Sequence, residues 1–63
     1  MKLFKKNKTY KLVLELNGEI SYFTATIIGE DDIHFKFRDK FGEEFVRSKD
    51  TIKSSKEING KGD

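Results

Sequence analysis

The chain has no cysteine, a single histidine and no long apolar run. Without cysteine there is neither a disulfide framework nor a thiolate metal site. One imidazole leaves too few ligands for a structural zinc. No segment approaches the ~20 apolar residues of a membrane-spanning helix, and none follows the basic N-terminus as a signal-peptide core would. There is no glycine-rich loop of the kind that cradles phosphates. The expectation is a soluble, cytoplasmic protein with no metal, no cofactor and no membrane contact.

What is present argues for a folded domain near the lower size limit. At 63 residues the chain can bury only a thin core, so the core must be compact or be completed by a partner subunit. An apolar share of 35% against a charged share of 38% leans toward disorder, but six Phe and two Tyr among many Ile, Leu and Val lean back. Charge is segregated along the chain. Residues 1–11 hold five lysines and no acid, residues 12–32 five acids and no base, and residues 33–63 eight bases and six acids. A basic arm on a mixed body suits nucleic acid or an acidic partner, although a lysine-rich end can also serve solubility alone.

The pattern is strand throughout. TYKLVLELNGEISYFTATIIG alternates from Thr9, breaks at Asn17-Gly18 and alternates again. Asn-Gly marks a two-residue type I′ hairpin, because both central residues need positive φ. That loop sets Leu12 opposite Phe23, Val13 opposite Tyr22 and Leu14 opposite Ser21. One face then holds Tyr10, Leu12, Leu14, Leu16, Phe23, Ala25 and Ile27, which is the expected core side. The other face carries Val13, Ile20, Tyr22 and Ile28, apolar positions that ask for a cover, either the N-terminal segment or another subunit.

Residues 29–32 read as a solvated turn with Asp31 or Asp32 capping its own backbone; their acids lack the spread and distal glutamate of a calcium loop. Residues 33–38 alternate strictly, sending Ile33, Phe35 and Phe37 inward and His34, Lys36 and Arg38 outward. A turn at 39–42, a fourth strand at 43–48 with Phe45 inward, and a short fifth strand within 51–58 complete the chain. The expected organisation is a basic segment at 1–8, a small barrel at 9–58 and a flexible tail at 59–63. The first segment is a helical turn or an extra strand, with Leu3 and Phe4 closing one mouth. Five short strands with tight turns imply an all-β fold, a small antiparallel five-stranded barrel.

The region from Leu12 to Ile58 resembles the Sm-like (Hfq-like) family of SH3-like small barrels. The resemblance rests on Leu16-Asn17-Gly18 at the hairpin, Ala25-Thr26-Ile27 in the second strand, Asp31 after it, and Lys49-Asp50-Thr51-Ile52 leading into the last strand. It implies a ring of subunits binding single-stranded RNA. Ala25 stands where the family has glycine, Phe35 where it has asparagine, and Val46-Arg47-Ser48 matches its arginine–glycine pair only loosely. No base-contacting residue is therefore carried over, and SH3-like barrels outside the family fit the same pattern.

Catalysis is not expected. His34 has no neighbouring acid to orient it, and no nucleophile has a visible base partner. The leading expectation is single-stranded RNA or DNA binding of low specificity. Lys2, Lys5, Lys6 and Lys8 on the arm, with His34, Lys36 and Arg38 on the third strand, would neutralise phosphates, and Tyr22 or Phe41 would stack on bases. Against it, Lys36 and Arg38 can simply pair with Glu43 and Glu44 across the hairpin. The alternative is a protein-interaction module of viral or mobile-element type. It would dock a homo-oligomer copy or another protein through Val13, Ile20, Tyr22 and Ile28 or through a strand edge.

Overall fold

The computed structural model describes residues 2–58; the expected flexible tail lies outside the described residues. Five antiparallel strands form one sheet: β1 (Thr9–Leu16), β2 (Glu19–Glu30), β3 (His34–Arg38), β4 (Glu44–Ser48) and β5 (Ile52–Glu57), in the order β4-β3-β2-β1-β5. A short 3-10 turn, Lys49–Thr51, joins β4 to β5. No helix among the described residues is long and apolar enough to cross a membrane. The sheet is not closed, since β4 and β5 remain its two edges. It curls all the same: Phe45 from one edge and Ile52 from the other pack on a common cluster.

The hairpin forms in the expected register. Asn17 and Gly18 have φ of 53° and 83°, and Leu12, Val13 and Leu14 face Phe23, Tyr22 and Ser21. Positive φ at both positions matches the right-handed twist of the flanking strands, which the mirror-image turn would splay. Alternation then sends Tyr10, Leu12, Leu14, Ala25, Ile27, Phe35 and Phe37 into the core. Edge-to-face and stacked rings connect Phe23, Phe35, Phe37 and Phe45 at centroid distances of 5.1–5.5 Å. Phe4 adds a further ring from outside the sheet, 5.0 Å from Tyr10 and 5.2 Å from Phe35. Burying such a side chain stabilises by roughly 1.5–3 kcal/mol, a large share for so small a domain.

Three expectations are corrected. Ile33 does not point into the core but is 63% exposed. The Asp31 carboxylate accepts hydrogen bonds from the backbone N–H of Ile33 (2.9 Å) and His34 (2.6 Å), which holds Ile33 in the turn so that alternation starts at His34. Leu3 is exposed, so Phe4 alone closes the mouth. The segment 2–8 is neither helix nor strand. It turns at Asn7, whose φ is 68°, and is tied to β2 by the Asn7 N–H to the Ile27 carbonyl (2.7 Å) and the Ile27 N–H to the Lys8 carbonyl (3.0 Å).

A bulge in β2 decides which way Glu30 points. Thr26 and Ile27 face Arg38 and Phe37, but Gly29 and Glu30 face Lys36 and Phe35, so Ile28 is an extra residue. One inserted residue bends the strand and reverses its sidedness. Strict alternation would put Glu30 on the outer face with Thr26; the bulge turns it to the inner side, beneath the N-terminal arm.

Candidate nucleic-acid interface

Glu30 organises the basic arm. Its side chain is 3% exposed. One carboxylate oxygen accepts from the Leu3 N–H (2.6 Å) and lies 2.8 Å from the Lys49 ammonium, and the other accepts from the Phe4 N–H at 3.1 Å. Burial by itself pushes this carboxyl up. The hydrogen bonds from Leu3, Lys49 and Phe4 outweigh burial and hold it below the ordinary carboxylate value. The Lys2 ammonium donates to the Glu30 carbonyl (3.1 Å), and the Lys5 N–H donates to the Tyr10 hydroxyl (2.7 Å). The backbone of the arm is therefore docked, which fixes the points from which its lysines project. Sequence reasoning missed Glu30, which it assigned with residues 29–32 to a turn, and Lys49, which it read only as part of the connection into the last strand.

At the Gly29–Glu30 corner, two depressions that share these residues are lined by basic side chains distant in sequence. Lys2 and Lys6 line a depression with Phe4, Ile27, Gly29 and Glu30. Adjoining it, a second depression is lined by Gly29, Glu30, Asp31, His34, Lys36 and Val46. The acids at this corner are already engaged: Glu30 by the arm and Lys49, and Asp31 by the His34 and Ile33 N–H groups, which lower its pKa.

The remaining candidates divide. His34, Lys36 and Arg38 are exposed on one side of β3, as the alternation required. Lys36 and Arg38 share a single acid, Glu44, at 3.5 and 2.9 Å, and the Arg38 hydrogen bond followed by the nearby Lys36 charge lowers the Glu44 pKa. Lys5 pairs with Glu57 at 3.6 Å. Lys6 and Lys8 have no side-chain partner among the described residues. Phe41 is 80% exposed, but at the tip of the β3–β4 hairpin, far along the strand from His34, with the Lys40 ammonium 5.5 Å from its ring centre. Arg47 is turned away from this surface, its guanidinium 5.2 Å from the Phe45 ring.

Of the second-face residues, Val13 and Tyr22 face each other across β1 and β2, and Ile20 follows on the same side. Ile28 is separated from them at the bulge. Among the described residues no cluster of His, Cys, Asp or Glu suits a metal ion. No family model, no curated protein and no solved structure matches this chain.

Proposed function

We propose that the protein binds single-stranded nucleic acid with low sequence specificity. The observation that carries this reading is that the depression lined by Lys2 and Lys6 of the arm and the depression lined by His34 and Lys36 of β3 share Gly29 and Glu30 at one corner, and that Glu30 and Asp31 there already have donors. Cations held on a docked backbone lose less freedom on binding than cations on a free tail, so each phosphate contact is worth more. A strand would run past this corner with its phosphates on the lysines, and its bases would be read only by stacking.

The test is oligonucleotide binding across a salt series. Log affinity for a single strand falls by about 0.7 per phosphate neutralised for each tenfold rise in salt. Changing Lys6 and Lys36 together to glutamine should flatten the slope by roughly 1.4. Absence of binding at low salt, where electrostatic attraction is strongest, sinks the proposal.

Self-association or docking of a protein is the second reading. It is favoured by the two open edges, β4 and β5, and by the contiguous Val13, Ile20 and Tyr22. An added strand would satisfy the edge backbone groups, and the apolar side chains would bury beside it.

A further inference from the structure

The outer face of β1 gathers side chains that the basic corner leaves out. Lys11 lies directly opposite Lys56 of β5, with Thr24 of β2 on its other side. Neighbouring strands are about 4.8 Å apart, and like charges directly opposite one another repel. Neither lysine has an acidic partner among the described residues, and Glu15 farther along the same face is engaged by Lys53 at 3.0 Å. In the adjacent row Tyr22, Val13 and Ser54 lie side by side. Tyr22 is 77% exposed, and the open groove it lines with Lys11, Val13 and Thr24 also receives Lys40 from the β3–β4 hairpin.

We infer that this groove is a nucleotide subsite, in which one base stacks on Tyr22 over Val13 while the adjoining phosphates bridge Lys11 and Lys56 and Lys40 closes the far side. The inference rests on the single-strand reading and adds to it the place of a base. An anion lying between Lys11 and Lys56 converts their repulsion into attraction. The flat exposed ring beside them suits a base, which offers a π-face whatever its identity. A bare phosphate would need the lysines alone.

The experiment compares a uridine 12-mer with an abasic sugar–phosphate strand of equal length. Tyr22→Ala should weaken binding of the uridine strand roughly 5- to 150-fold and leave the abasic strand unchanged, while Tyr22→Phe keeps the affinity. Changing Lys11 and Lys56 to glutamine should weaken both strands and flatten the salt slope by roughly 1.4. The chain has two tyrosines and no tryptophan, and Tyr10 is only 6% exposed, so quenching of tyrosine emission by the uridine strand reports on Tyr22. If the parent binds the uridine strand but Tyr22→Ala and the lysine pair behave like the parent, the subsite is overturned and the corner reading stands. If the parent binds neither strand, both fall. Loss of self-association in Tyr22→Ala with no change in oligonucleotide binding assigns the face to protein contact, and overturns the subsite.

Discussion

The Lys49 ammonium sits 2.8 Å from the Glu30 carboxylate, linking the turn before β5 to the end of β2. The same carboxylate receives the N–H groups of Leu3 and Phe4, so three separate parts of the chain converge on one side chain. Glu30→Ala leaves the Leu3 and Phe4 N–H groups without their acceptor and removes the Lys49–Glu30 ion pair. It should cost about 2–3 kcal/mol in denaturant unfolding. A midpoint equal to the parent's would show that the arm is held by the Phe4 ring and the backbone bonds of Lys5, Asn7 and Lys8 without help from this carboxylate.

The same contact predicts an acid response. A carboxyl whose pKa is lower in the folded state contributes stability that is complete above its unfolded value, here about 4.5, and is lost as pH falls through the folded value. Asp31, held down by the N–H groups of His34 and then Ile33, acts in the same direction from an ordinary value of 3.8. Thermal unfolding followed by circular dichroism should therefore show the parent losing stability below pH 4.5. Glu30→Gln, already without the charge, should lose less over that range.

Gly18 offers a test of the hairpin. With φ at 83°, a β-branched side chain is strained, and Gly18→Val should destabilise by about 1–2 kcal/mol. No atom lies within 4 Å of the position a Cβ would take, so the cost comes from the backbone and not from a clash. Gly18→Ala should be the milder change, since alanine lacks the second branch at Cβ.

Glu44 competes with any phosphate for Lys36 and Arg38. Glu44→Gln should raise affinity for a single-stranded oligonucleotide at low salt and steepen the salt dependence, with little effect on folding because the pairs are exposed. Unchanged binding would remove β3 from the path of the strand.

The open edges β4 and β5 lead us to expect self-association. Sedimentation at micromolar concentration should show at least a dimer. A monomer persisting at high concentration would exclude both edge pairing and ring assembly.

Much of the fold was legible because local rules sufficed. Asn17-Gly18 specified a turn whose length set the entire β1–β2 register, and alternation placed Phe35, Phe37 and Lys36 on their correct sides. Ile33 was misplaced because a side-chain hydrogen bond from the preceding turn, invisible to periodicity, delays the strand by one residue. Glu30 was missed for a related reason: an inserted residue moved it inward, and only tertiary contact with Leu3, Phe4 and Lys49 makes that tolerable. The Lys11–Lys56 pair depends on how β5 returns beside β1, a pairing of distant segments that no short-range signal specifies.

The extra residue at Ile28 gives β2 two phases. From the hairpin to Thr26 the even-numbered positions face outward; beyond Ile28 it is Gly29 that does so and Glu30 that faces in. Flattening the bulge with every residue kept would send to solvent a carboxylate that collects three donors and bring a glycine inward. Deleting Ile28 would not: Ile27, Gly29 and Glu30 would then follow one another in plain alternation opposite Phe37, Lys36 and Phe35, and Glu30 would still face inward. The bulge is thus the means by which a strand one residue too long keeps Glu30 under the arm, and what the deletion would remove is the bend of the strand and not the carboxylate's contacts.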